Sequence, residues 1–297
     1  MKLGCVILNY RDADRVLGLV SQICGYSTLS DIILVDNASG DGSFEKLEEA
    51  AGCLEKVHVI QAAKNGGYGA GNNLGIRYGA EQRGDTHVVI ANPDVEFSED
   101  CLKKLVQVFA HHPDVAAAAA SIEDARLGCW RNGWPLRGFV GELLSMGPVS
   151  RRLFRCFLEY PDSRFCGRKA AFVDALHGSM LMVDAEKFLE CGGYDEGLFL
   201  YQEEAVLGWR LKTGGYRSVL LLNCSYRHEH SASIGKAFQG QMERQRLREK
   251  SVLYYMKEYL FINLVQEAIA KLWFGVIRLE IRAANGFMML KGVFCKE

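Results

Sequence analysis

A chain of 297 residues, 49% hydrophobic and 24% charged, has the length of one large domain or two small ones and the composition of a globular protein with a sizeable core. Its formal net charge of -1 argues against a protein organised around general nucleic-acid binding and leaves room only for local basic patches. No uncharged apolar run reaches the roughly eighteen residues that a simple membrane-spanning helix needs.

In chain order, short β-branched runs alternate with amphipathic stretches over the first 121 residues. Leu3 to Leu8, Ile32 to Val35, Val57 to Ile60, Val88 to Ala91 and Val115 to Ala120 read as strands, and Asp14 to Cys24, Ser43 to Ala51, Ala70 to Gln82 and Glu99 to His111 as helices. This alternation predicts an α/β fold, a mostly parallel sheet covered on both faces, whose ligands bind beyond the carboxyl ends of the strands. The loops at those ends carry Asn9-Tyr10, Asp36-Asn37-Ala38-Ser39-Gly40-Asp41-Gly42, Lys64 to Asn73, and Asn92-Pro93-Asp94. Polar or glycine-rich chemistry at four strand ends is more than an inert scaffold needs. Asp94 alone is an ordinary turn residue, because Pro93 cannot continue a strand ladder and Asn, Pro and Asp build turns in any protein.

The glycine loop fails as a dinucleotide fingerprint. The glycines follow the third strand, not the first, and the third position of GxGxxG is Asn72 when counted from Gly67 and Leu74 when counted from Gly69. No GxxxxGK[ST] is present either. What remains is a run of small residues leading into a helix N-terminus with Lys64 beside it. That arrangement suits an anion or a closely approaching nucleotide, or else a tight connection in which glycine permits unusual dihedrals.

Taken together, "VILNY", "VDNASGDGS", "KNGGYGAGNNLG" and "ANPDV", followed by "GGYDEGLFLYQEEAVLGWRL" and "HEHSAS", resemble the family 2 glycosyltransferases. The likeness is to the rhamnosyltransferase-like branch of bacterial polysaccharide biosynthesis and covers roughly residues 3 to 235. It implies a GT-A fold, a three-layer α/β/α sandwich, with a nucleotide-sugar-binding half (1–121), an acceptor-binding and catalytic half of the same domain (122–235) and a helical extension (236–297). Asp36 would bind the base or ribose of the donor, with Asn9, Tyr10 and Asn65 in the same crevice and Asn37, Lys64, Gly67, Asn72 and Asn92 completing the donor-nucleotide set. Asp94 falls at the family's DxD-type position and would ligate Mg or Mn, which prefer oxygen ligands. The first acid of that motif is Asn92 here. His228 would add a metal or diphosphate contact, with His230 as its competitor.

The same resemblance makes Glu204 the base of an inverting transfer, with Glu203 as the alternative. The family's Asp is Glu at 204 and its next Asp is Val206. Apart from the resemblance, "EEAVLGWRLKTGGY" is an ordinary amphipathic helix with acids first and a cation and glycines last. His177, Gly178 and Ser179 resemble the stretch bordering the donor sugar, and Tyr201 the lead into the acceptor side. The substrates so implied are a UDP- or dTDP-linked sugar and a glycan or lipid-linked acceptor. A sugar-nucleotide nucleotidyltransferase and a non-catalytic nucleotide- or glycan-binding relative are the alternatives, although the basic glycine-rich first loop of the former is missing.

Residues 122 to 170 break the periodic pattern, with Trp130, Trp134, Pro135, Pro148 and Pro161 in no clear strand, and suit a variable acceptor-binding excursion. From Lys236 the chain reads as helical. "KLWFGVIRLEIRAANGFMMLKGVF" mixes bulky apolar residues with cations, as a helix lying in a membrane interface does, or a helix packed on the catalytic domain or on a second subunit. Ten scattered cysteines without CxxC or zinc-like spacing, and no signal-peptide cleavage site near Met1, predict a reducing cytoplasmic setting, with the inner membrane's cytoplasmic face as the surface such a helix would meet.

Overall fold

The computed structural model describes residues 1–124, 128–229 and 240–294; nothing is said of the side chains of 124, 128–130 and 284–294. Strands β1 (Leu3–Asn9), β2 (Asp31–Asp36), β3 (Val57–Gln61) and β4 (His87–Ala91) alternate with helices α1 (Ala13–Ile23), α2 (Ser43–Ala51) and α3 (Gly67–Tyr78). A short β5 (Val95–Glu96), α4 (Glu99–His111) and a long β6 (Val115–Asp124) come next. The sheet order is β3-β2-β1-β4 and then β11-β6-β12-β5, where β11 is Met180–Asp184 and β12 is Arg217–His228.

The first four strands are parallel, as the strand and helix alternation predicts. Beyond β4 the sheet is mixed, because β11 returns antiparallel between β4 and β6. That insertion comes from a segment some sixty residues later than β6 (Met180 against Val115). β6 also runs through residue 121, so both halves share one continuous sheet.

Strand pleating divides the core. Leu3, Cys5 and Ile7 face α1 and α4 with Val16, Val20, Leu102 and Leu105, while Val6, Ile33 and Val35 face the opposite layer with Ile76, Phe188 and Leu207. That second layer consists of α3, α8 (Ala185–Glu190) and α9 (Glu203–Thr213). The period-two alternation of fully buried β-branched residues is what a doubly covered sheet requires.

Helix α3 begins three residues earlier than Ala70 and passes into a π-helical turn over Gly79–Arg83. Three of its glycines recur every fourth residue, Gly71-Gly75-Gly79 (the last opening the π-helical turn), and form a stripe that faces the sheet, whereas Gly67, with φ of 89°, abuts the Phe199 backbone. A methyl on Gly71 would lie 2.3 Å from Leu8 Cδ1, and one on Gly75 would lie 2.5 Å from Val6 Cγ1. Gly75→Ala therefore sets two effects against each other. Alanine ordinarily gains a helix about 1 kcal/mol over glycine, but overpacking a filled core costs about 1–3 kcal/mol. The variant is expected to unfold at lower denaturant concentration; a higher midpoint would show that α3 does not lie this close to the sheet.

Residues 128–165 form two short strands, β7 (Gly128–Trp130) and β8 (Gly133–Trp134), and three short helices, α5 (Phe139–Met146), α6 (Pro148–Leu153) and α7 (Arg155–Leu158). β9 (Ala170–Val173) pairs with β12, and β10 (Ala175–Leu176) with β8. The C-terminal helices α10 (Gln241–Glu258) and α11 (Leu264–Phe294) pack against this segment. Val252, Met256, Ala270, Phe274 and Ile277 bury with Leu143 and Met146 of α5, and Tyr255 and Tyr259 with Ala205 and Val206 of α9. Among the described residues no helix is long and apolar enough to cross a membrane. The eight cysteines whose side chains are described are free thiols, and burial pushes that of Cys5 up to about 12.

Candidate active site

A cavity of about 1850 Å³ opens over the carboxyl ends of β1, β2 and β4 and extends to α5, α6 and α10. On the sheet side it is lined by Tyr10, Asn37, Asn65, Gly67, Asn92 and Asp94, and opposite them by His177, Gly178, Ser179, Tyr201, Glu203, Glu204 and His228. The sequence places these residues up to two hundred positions apart. Chain topology collects them.

The β5 segment fixes the place of Asp94. The Asn92-Pro93-Asp94 turn ends β4, and Asn92 N donates to Ser179 O at 2.8 Å. The short β5 then pairs antiparallel with the end of β12, setting Val95 opposite His228. This register brings His228 Nε2 to 3.3 Å from Asp94 Oδ1, with both side chains largely buried (8% and 6% exposed). Asp94 Oδ1 accepts no hydrogen bond from any described group. A buried carboxylate oxygen beside an imidazole, lacking a donor, fits a divalent cation. No set of three or more His, Cys, Asp or Glu ligands occurs among the described residues. His230 lies outside them, as does Ser233.

Glu203 and Glu204 open α9, whose entry is strained: Tyr201 and Gln202 both have left-handed backbones, with φ of 73° and 72°. Gln202 Nε2 donates to Glu142 Oε2 at 3.0 Å. Gly178 N donates to Glu204 Oε1 at 3.3 Å, and the carbonyl of that glycine accepts from Tyr68 Oη at 2.6 Å. Tyr68, at the start of α3, thereby ties that helix to the carboxylate pair. Burial pushes both glutamates above the usual carboxylate range, and the Glu204 charge pushes Glu203 up further. Beyond them His177 Nδ1 lies 2.9 Å from Ser179 Oγ, which is 2.7 Å from Tyr226 Oη, and its ring packs between Trp134 and His228.

Four residues of the donor set do not line the cavity. Asp36 and Asn9 are fully buried behind it, and the Asp36 carboxylate accepts from Asn9 Nδ2 (2.8 Å), Ser39 N (3.1 Å) and Gln61 Nε2 (3.2 Å). Asp36 thus holds the β1 and β2 loops together, and Asn37, one residue on, reaches the cavity. Asn72 is buried and donates to Tyr68 O, and Lys64 is exposed outside it. Residues that sequence reasoning missed are Tyr68, Glu142 and several cavity arginines. Only the position of Tyr68 within the glycine run could have signalled any of them.

A parallel half-sheet, an acidic turn at the end of β4 and a mixed second half define this molecule as a GT-A-type glycosyltransferase fold. The chain belongs to Glycosyl transferase family 2, whose profile matches residues 5–172. It is 28% identical over 211 residues to the low-salt glycan biosynthesis hexosyltransferase Agl10 of Haloferax volcanii, covering 71% of this chain and 61% of that protein. It is 27% identical over 219 residues to the N-acetylglucosaminyl-diphospho-decaprenol L-rhamnosyltransferase of Mycobacterium tuberculosis, covering 69% of this chain and 68% of that protein. Among solved structures, the mannosyltransferase PcManGT of Pyrobaculum calidifontis, in complex with GDP-Man and Mn2+, superposes with a TM-score of 0.60 at 13% identity, covering 99% of this chain and 80% of that one. The chain thus spans about three-fifths of the Haloferax relative.

Proposed function

We propose that this chain transfers a sugar, with inversion, from a nucleoside-diphosphate sugar to a glycan or lipid-linked acceptor in cell-surface polysaccharide synthesis. The observation that carries the reading is the juxtaposition, in one cavity, of Asp94 and His228 with the Glu203-Glu204 pair. The names of the two relatives support the acceptor class. Asp94 and His228 would hold a Mg or Mn ion, which when bound neutralises charge on the departing diphosphate.

The chain's own groups supply the rest. Asn37, Asn65 and Tyr10 bind the donor nucleotide at the strand tips. Glu204 takes the proton of the acceptor hydroxyl as that oxygen attacks the anomeric carbon. The Gly178 amide, braced by Tyr68, aims the Glu204 carboxylate, and Glu203 stays protonated beside it. A thermal-shift screen of UDP-, dTDP- and GDP-sugars with and without Mn tests the reading. A metal-dependent rise for one nucleotide class is expected, and no rise with any class overturns it.

The apolar stripe of α11 suits a membrane surface. Val265, Ile269, Leu272, Val276 and Leu279 recur every three or four residues, all exposed, on a helix whose other side packs in the core through Ala270, Phe274 and Ile277. Lys271 and Arg278 on the same helix are ion-paired, to Glu267 and Glu249 respectively, so attraction to a lipid surface rests on the apolar stripe. The protein is expected to co-sediment with vesicles containing anionic lipid, and Leu272→Glu to reduce that binding. Unchanged binding, or a concentration-dependent dimer that replaces it, overturns the lipid assignment.

A further inference from the structure

Six arginines line the cavity, and the structure sorts them into two groups. Arg131 and Arg155 are ion-paired, to Asp162 and Glu159 respectively. Arg137, Arg151, Arg244 and Arg248 have no carboxylate within 4.0 Å among the described residues. Arg137 precedes α5, Arg151 lies on α6, and Arg244 and Arg248 stand one turn apart on the same side of α10. Each of the two more buried guanidiniums is held by a single carbonyl: Arg137 Nε donates to Leu158 O at 3.1 Å and Arg248 Nη2 to Ser145 O at 3.4 Å. Most of each guanidinium fork is left uncommitted.

The nearby acid, Glu142, attracts Arg137 and Arg248 without ion-pairing to either, and one carboxylate leaves most of this charge unbalanced. Glu142 is 3% exposed, is engaged by Gln202, and is pushed above the usual carboxylate range by burial. Burial, followed by repulsion from Arg151, holds Arg248 below the usual guanidinium range, and burial does the same to Arg137. Holding like charges together out of water is costly unless an anion joins them. A chain of net charge -1 concentrates at one end of its cavity four cations, none of them ion-paired among the described residues.

The planar, forked guanidinium matches phosphate oxygens in pairs, and four such groups call for a ligand with several negative charges. The donor's diphosphate is already provided for at Asp94 and His228, on β4 and β12. The arginines lie instead on the helical side, next to Tyr201, where the chain enters the Glu203-Glu204 turn. The volume, about 1850 Å³, exceeds the roughly 300–1,000 Å³ usual for one small ligand and leaves room for two substrates.

We infer that Arg137, Arg151, Arg244 and Arg248 form a second diphosphate site, which binds the diphosphate of a lipid-diphosphate-linked acceptor without a metal ion. The inference rests on the glycosyltransferase reading above and names the chemistry of its acceptor. It accounts for the position of the cluster next to Tyr201, at the entry to the Glu203-Glu204 turn, where the sugar carried by that diphosphate would present its hydroxyl.

Farnesyl diphosphate, farnesyl monophosphate and farnesol serve as probes, titrated calorimetrically into the full-length chain in EDTA. Nucleoside diphosphate with Mn is titrated in parallel. Farnesyl diphosphate is expected to bind best, and Arg244→Ala/Arg248→Ala to weaken it at least about tenfold while metal-dependent nucleotide binding persists. Retained nucleotide binding also shows that the variant is folded. Arg248→Lys should recover only part of the affinity, because an ammonium lacks the fork. Equal binding of farnesol overturns the inference by reducing the site to apolar contact. So does loss of nucleotide binding with farnesyl diphosphate unaffected, which assigns the cluster to the donor. A wild-type chain that binds nucleotide with Mn but not farnesyl diphosphate sinks this inference alone, whereas one that binds no nucleotide sinks the proposed function.

Discussion

Glu204→Gln is expected to lower the rate of sugar transfer by about 10²–10⁴-fold with donor affinity unchanged, the range by which a positioned base contributes. The substitution keeps the shape and the hydrogen bond from Gly178 N, so only proton uptake is removed. Glu203→Gln should be far milder. Its carboxyl is 4% exposed, and burial and the neighbouring Glu204 charge raise its pKa, so at neutral pH it already carries a proton as the amide would. If the two variants lose activity equally, or if Glu203→Gln loses more, the base is misassigned.

The pH dependence has a definite sign. Because burial raises the Glu204 pKa above 4.5, transfer is expected to rise with pH through a limb centred above that value, and the limb should vanish in Glu204→Gln. The same two carboxyls bind protons more readily in the folded chain than in the unfolded one. Their contribution to stability is therefore fully present at low pH and is lost as pH rises from 4.5 through the raised values.

Asp94→Ala is the second large effect. It is expected to abolish the metal-dependent thermal shift with nucleotide and to cost transfer about a hundredfold or more, since a bound cation supplies several kcal/mol of charge stabilisation. The isolated protein should not be destabilised beyond about 1 kcal/mol. Asp94 Oδ1 accepts no hydrogen bond from a described group, and what the fold loses is one imidazole contact at 3.3 Å. A purely structural aspartate would give the reverse pattern, a large loss of apo stability with the nucleotide shift intact. With Asn92 as the other polar side chain of the turn, no second acid there can substitute.

The elements legible in the sequence are those governed by local pattern. The β-branched runs of β1, β2 and β4 and the amphipathic α4 fall where periodicity puts them, and Asp94 stands at a strand end because Pro93 forces it there. What escaped is set by distant partners. The glycine stripe of α3 reads as a loop until Leu8 and Val6 are seen beneath it. The antiparallel β11 cannot be placed without its non-local neighbours β4 and β6. Asp36, which the resemblance assigns to the donor, is turned inward onto Asn9 and Gln61, and no local signal distinguishes a carboxylate that orders a loop from one that meets a ligand. The arginines of the cavity come from three separate segments, and only the fold brings them together.

The pairing of β5 with β12 also bears on the order in which this protein matures. Asp94 leaves the ribosome long before His228, and β12 must settle between β6 and β5 before the two side chains meet. A nascent chain that has emerged only through α4 already holds the strand tips and the glycine helix, yet it lacks half of the proposed cation site and both glutamates. On the proposed function, donor capture is thus a late event in biogenesis, and a prematurely terminated chain would not sequester nucleotide sugar from the cell.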